Sequence, residues 1–169
     1  MKQTDTIKKN IFYSPSDDVK YDFESILKRF ESFINTYDKY EKYHLIFATD
    51  SLFRKNNTVF SSAIILHRIG KGAIYFYNKY VVKNNMSVKA RIFQETTESI
   101  LIAQEFLDIL GNSPIMERID GFLVDIDAGE NGLSREAMTE CLSYVHSCGF
   151  KGRVKPESTA RMCADKHTR

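Results

Sequence analysis

Apolar residues recur every three or four positions between 22 and about 40, at Phe23, Ile26, Leu27, Phe30, Phe33, Ile34 and Tyr37. That spacing predicts an amphipathic helix. The pattern then changes. Leu45, Ile46, Phe47 and Ala48 are unbroken apolar residues within 43–51, as expected of a central strand covered on both faces. Residues 52–58 are polar, carry Asn56-Asn57 and read as a turn ahead of a second strand at 59–68. Gly70-Lys71-Gly72 breaks the chain again before a third strand at 73–82. Short links between these strands predict an antiparallel meander.

A long helix follows from about 88 to 110, closed by Gly111-Asn112, and then a fourth strand at 121–127. The loop 128–132 leads to a helix over 134–148, with Ser134 as its N-cap and Gly149 as its stop. A fifth strand at 152–155 precedes Pro156 and a last helix from about 158. Two crossover connections after a meander predict an α/β fold: a mixed five-stranded sheet with helices on both faces. Residues 1–20 are polar and read as an arm, loosely ordered at least at its start. Residues 21–169 read as a single domain. In this layout the first and fourth strands lie parallel and adjacent, which brings Asp50 and Asp127 to one sheet edge, where open α/β sheets bind ligands.

Composition narrows this picture only slightly. No window is apolar enough to span a membrane, and the N-terminus lacks a signal-like apolar stretch, so the expected location is the cytoplasm. The net charge of +2 favours no partner. Its distribution does: Lys151, Arg153, Lys155, Arg161, Lys166 and Arg169 make a basic end beside the acids, which suits a polyanionic, metal-bound ligand or, more simply, a solvated face. Cys141, Cys148 and Cys163 include no CxxC and read as reduced thiols, the first two on one helix face as core residues.

Four acids come from separate segments: Asp50, Glu95, Asp127 and Asp165. Asp50 closes an apolar run, where it serves either a buried site or an Asx turn. Asp125 and Asp127 point to one face of the fourth strand and repel unless a cation or base stands between them. Asp127 is the choice to touch a metal; Asp125 either supports it or pairs with a basic side chain. On the long helix Glu95 falls at the edge of the buried stripe, Glu98 on the opposite side, and Thr96 and Ser99 inside it. Asp165 lies four residues from both Arg161 and Arg169, so a surface salt bridge competes with a metal role. Small Ala160 and Ala164 would let this helix approach the sheet closely. Ser51, Ser99 and His167 are candidates to orient the acids or a water, and Lys155, Arg161 and Lys166 to meet phosphate oxygens. Solvation is the competing reading for His167 and the lysines.

The segments TDS at 49–51, QETTES at 94–99, DIDAGENG at 125–132 and KPESTARMCADKHTR at 155–169, with SSAIILHRIGKGAIYFY at 61–77, resemble the bacterial ribonuclease H-like family of YkuK type. The resemblance runs from about Phe12 to the end of the chain. It implies a ribonuclease H-like fold with an extra N-terminal helix. It also implies a carboxylate set at Asp50, Glu95, Asp127 and Asp165 holding two Mg²⁺ or Mn²⁺ ions roughly 3.5–4 Å apart. In that arrangement Asp50 bridges both ions, Glu95 and Asp127 hold one, and Asp165 holds the other. The implied activity is metal-dependent hydrolysis of nucleic-acid phosphodiesters. The alternative is a module of the same fold that binds nucleic acid without cutting it. A kinase-like ATPase shares the core topology but needs a second domain of similar size. Asp125 is an additional acid relative to the family pattern. No lysine-rich hybrid-binding insertion is present, so an RNA–DNA hybrid substrate does not follow.

Overall fold

The computed structural model describes residues 10–129, 134–158 and 164–168. Its first helix, α1 (Phe23–Asn35), starts where the Asp22 carboxylate accepts a hydrogen bond from the Ser25 amide at 2.9 Å. It stops at Asn35 rather than near Tyr40. Beyond that point the apolar stripe has nothing to cover, and Tyr40 is 77% exposed.

Strands β3 (Tyr43–Arg54) and β4 (Asn57–Arg68) form a long hairpin. The turn expected over seven residues contracts to Lys55-Asn56, both at positive φ (41° and 68°), the backbone of a tight two-residue hairpin turn. Asp50 therefore does not end its strand, and the Asx-turn reading fails. The expected third strand divides into β5 (Gly72–Tyr77) and β6 (Tyr80–Val82), both paired with β4. Asn78 bridges the break. Its amide donates to Ser62 O (2.9 Å), its Oδ1 accepts from Ser62 N–H (3.0 Å), and its carbonyl accepts from Ser61 Oγ (2.8 Å). Asn78 thus takes up backbone groups of β4 where the ladder is interrupted.

Helix α2 (Val88–Leu110), capped by Ser87, leads through a 3₁₀ turn (Pro114–Arg118) to β7 (Ile119–Asp125). Helix α3 (Ser134–Ser147), strand β8 (Lys151–Arg153) and helix α4 (Asp165–Thr168) follow. Gly149, at φ +86°, makes the expected stop after α3. At Gly152 a Cβ would come within 2.6 Å of Leu142 Cδ2, so the missing side chain is what lets α3 lie on β8. The last helix was expected from about 158. Residues 155–157 form a turn and Asp165–Thr168 are helical, while the stretch between Ser158 and Ala164, with Ala160, Arg161 and Cys163, lies outside the described residues, as does Arg169.

The sheet has eight strands rather than five, ordered β2-β1-β5-β4-β3-β7-β8, with β6 also on β4. The extra edge comes from the N-terminal arm, whose β1 (Phe12–Tyr13) and β2 (Lys20–Tyr21) pair antiparallel and extend β5. The β3–β7 and β7–β8 pairs are parallel. One face carries Tyr43, Leu45 and Phe47 into a core with α1, α2 and α3. Phe106 is its hub, with ring centroids of Phe23, Phe30 and Phe47 at 5.8, 5.9 and 6.1 Å. The other face carries Ile46, Ala48, Ala63, Ile65 and Leu123 against Ala164, beside α4. Ala164 is fully buried, as expected of a small residue at a close approach. Helices thus lie on both faces.

Candidate functional site

The parallel register sets Ala48 opposite Asp125. Two residues further, Asp127 falls level with Asp50, on the face that holds Ala48 and α4. Strand β7 ends at Asp125, so among the described residues β3 pairs with no strand on that flank from Thr49 onward. Carboxylates from both faces of the sheet interact beside this gap. Asp50 and Asp127 reach it from the α4 face, and Asp165 from α4 itself. Glu95 reaches it from α2, across Ser51.

Asp50 and Glu95 are only 7% and 5% exposed. Burial raises the Asp50 carboxyl first, then the charge of Asp127, at hydrogen-bonding range, and that of Asp165; together they bring it to about 7. Burial likewise lifts Glu95 well above the ordinary carboxylate range. Asp50 and Asp127 add to the rise, while a hydrogen bond from Ser51 and the charge of Arg91 oppose it. Three of the acids thus sense one another directly, and Asp165 joins them through Asp50.

Ser51 Oγ donates to Glu95 Oε1 at 2.5 Å. Arg91 Nη1 donates to Ser51 O (3.1 Å) and Ser51 Oγ (3.3 Å), pinning this corner. Ser99 does not touch the acids. Its hydroxyl donates to Thr49 Oγ1 (2.9 Å), which is paired with Ser62 Oγ (2.9 Å), a buried hydroxyl chain beneath the site. Asp125 takes the second of its two expected roles. Its fully buried carboxylate accepts from Arg153 Nε (2.7 Å) and Nη2 (2.9 Å) in a bidentate pair. Asp127 is approached by Lys155 Nζ at 2.8 Å from Oδ1. Oδ1 is buried and held by this ion pair rather than by a regular hydrogen bond. Lys166 is exposed.

Two placements differ from expectation. Glu98, expected on the opposite side of α2, is 5% exposed and packs beside the Tyr80 hydroxyl, whose pKa is raised by burial and then by Glu98. Its other neighbour is Gln94 Nε2, which donates at 2.7 Å. His167 points away from the acids and stacks on Tyr77, with ring centroids at 3.4 Å and planes 7° apart. Arg91 was missed altogether. Its signal is its place four residues before Glu95 on one helix, the spacing at which side chains meet.

The donor set is all oxygen and like charges crowd together, a combination that fits Mg²⁺ or Mn²⁺. As they stand, no three His, Cys, Asp or Glu side chains among the described residues converge closely enough to grip one ion.

A sequence model of the family described as Ribonuclease H-like matches residues 25–169. The chain belongs to this ribonuclease H-like family. It is 28% identical over 169 residues to the uncharacterized protein YkuK of Bacillus subtilis (strain 168), an alignment covering 94% of this chain and 97% of that one. No solved structure matches. Membership of a ribonuclease H-like family points to nucleic acid as the partner. Among the described residues, no helix is long and apolar enough to cross a membrane.

Proposed function

We propose that this ribonuclease H-like protein hydrolyses nucleic-acid phosphodiester bonds with two divalent cations, Mg²⁺ or Mn²⁺, held by Asp50, Glu95, Asp127 and Asp165. The observation that carries the reading is the mutual repulsion of these acids. Asp50 is driven to about 7 by burial, Asp127 and Asp165, a conflict that a cation resolves. When bound, the ions polarise the phosphoryl oxygens and lower the pKa of the attacking water.

The chain's own groups prepare the site. Ser51 and Arg91 fix the Glu95 carboxylate. Asp125 is neutralised by Arg153, so it does not compete for the ions. Lys155 compensates Asp127 in this structure; were a cation held there, its ammonium would be free to meet a substrate phosphate. Arg91, near Glu95, and Lys166, on α4, are further phosphate contacts. Gripping the ions requires the carboxylates to rotate inward and Lys155 to withdraw.

The test is cleavage of single-stranded, duplex, hybrid and branched nucleic acids by purified protein with Mn²⁺. Asp50→Asn and Asp127→Asn should each reduce the rate by about 100-fold or more, the loss of several kcal/mol of transition-state stabilisation. If no substrate is cut, the hydrolase reading fails. Salt-sensitive binding that survives replacement of all four acids would then identify a binding module.

A further inference from the structure

A second concavity lies across α4 from the acids. It encloses about 400 Å³ between the β1–β2 turn and the end of β5, lined by Tyr13, Asp17, Asp18, Tyr77 and His167. That volume is at the lower end of small-ligand sites.

One wall is flat and aromatic. His167 lies parallel on Tyr77, its Nε2 is 3.3 Å from Tyr75 Oη, and Tyr13 stands 6.1 Å from Tyr77, ring to ring. The rings are therefore held in place before any ligand arrives. The opposite rim is acidic. Both oxygens of Asp17 are engaged, Oδ1 by the Val19 amide (3.1 Å) and Oδ2 by the Tyr21 hydroxyl (2.9 Å). Asp18 lines the pocket, is exposed and makes no hydrogen bond or ion pair with another described residue, so its oxygens are not taken up within the fold.

We propose that this pocket is a nucleobase subsite, in which a guanine lies against the Tyr77–His167 wall and gives its ring N–H and amino hydrogens to Asp18. The rim's charge excludes phosphate and favours a donor edge. A carboxylate's two oxygens match the adjacent donors that guanine alone of the common bases presents. Aromatic walls are the usual platform for an unstacked single-stranded base.

Position supports the same ligand. Tyr77 pairs with Ala63, and Ala63 with Ala48, two residues from Asp50 on the same face. Strand spacing and rise then separate the pocket floor from Asp50 by about 12 Å. Helix α4 supplies Asp165 to one site and His167 to the other. A strand with a phosphate at the acids can thus reach the pocket with a base a few nucleotides away. The assignment rests on the nuclease reading for its biological substrate, although the binding event itself requires no cleavage.

The experiment is an amide NMR titration of the full chain with guanosine, adenosine, cytidine and uridine in turn, and with inorganic phosphate. Guanosine should shift the amides of Ser14, Ser16, Asp17, Asp18 and Tyr77 most strongly, and phosphate should leave them in place. Asp18→Asn, an exposed change, should weaken guanosine about tenfold and erase its advantage over adenosine. Tyr13→Ala should weaken all four nucleosides about fivefold or more. Absence of pocket shifts with every nucleoside, or a guanosine preference unchanged in Asp18→Asn, overturns the proposal. Nucleoside binding with no cleavage of any nucleic acid would sink the hydrolase reading alone, and cleavage without nucleoside binding would sink the pocket alone.

Discussion

Burial together with Asp127 and Asp165 holds the Asp50 carboxyl near pKa 7, whereas an unfolded chain leaves it near 3.8. A carboxyl raised by folding favours the fold while it is protonated. Its contribution is complete below about pH 4 and is lost as pH rises through 7. Asp50→Asn removes the titration and keeps the shape. In metal-free buffer at pH 8 the variant should melt about 2–8 °C above the parent, and the difference should vanish near pH 4. Equal melting temperatures at pH 8 would show that Asp50 is not under strain. At this scale much was legible. Asp50 and Asp127 stood out because each closes an apolar run in the sequence, although Asp50 lies within β3, and Glu95 and Asp165 because they fall on helices. Glu98 was misread because it lies against Tyr80 of β6, a neighbour that helical periodicity does not encode. The choice between Asp125 and Asp127 depended on Arg153, whose partner is fixed by the β7–β8 register and not by spacing in sequence.

Strand β8 has three residues and, among the described residues, joins the sheet through β7 alone, so its hold depends on more than its ladder. The bidentate Arg153–Asp125 pair supplies the rest, with Asp125 wholly buried and Arg153 18% exposed. Arg153→Met leaves a buried carboxylate without its counter-ion and should cost about 3–5 kcal/mol in denaturant unfolding. Adding Asp125→Leu should recover most of that loss, because the uncompensated charge is then gone. A single variant within about 1 kcal/mol of the parent would mean that water reaches Asp125 and that the pair does not anchor the strand. Long elements were readable for the reason β8 is not: α2, β3 and β4 extend over many residues, enough for a period to declare itself. Strands β1, β2 and β6 have two or three residues each and exist only through their partners, so a five-stranded sheet was the most that periodicity could reveal. The split between β5 and β6 was hidden in the same way, since it depends on Asn78 meeting Ser62 across the sheet.

For the whole molecule, two sets of titrations oppose each other. Asp50 and Glu95 are raised by folding and lose their contribution as pH climbs. His44, His67 and His167 are lowered, first by burial and then by nearby basic groups (the partner His67 also acting on His44). The fold therefore prefers them neutral and weakens as pH falls below their unfolded value of 6.5. Between about pH 5 and 6.5 the trends offset each other. The unfolded histidines stay partly protonated until about pH 7.5, so the offset persists to there; above it the carboxylates alone set the slope, and metal-free protein should lose stability as pH rises to 8 and beyond. A divalent cation competes for the same ionised carboxylates. At 100 times its dissociation constant it adds about 2.7 kcal/mol, or about 5–10 °C in a chain of this length. At pH 5 it must displace protons first, so its effect should shrink. Thermal melts at both pH values, with Mn²⁺ and with chelator, measure this. A large Mn²⁺ shift at pH 8 that fades at pH 5 ties the cation to the buried acids. An equal shift at both would assign it to exposed carboxylates that ionise well below pH 5, and no shift at pH 8 would remove the cation from the site.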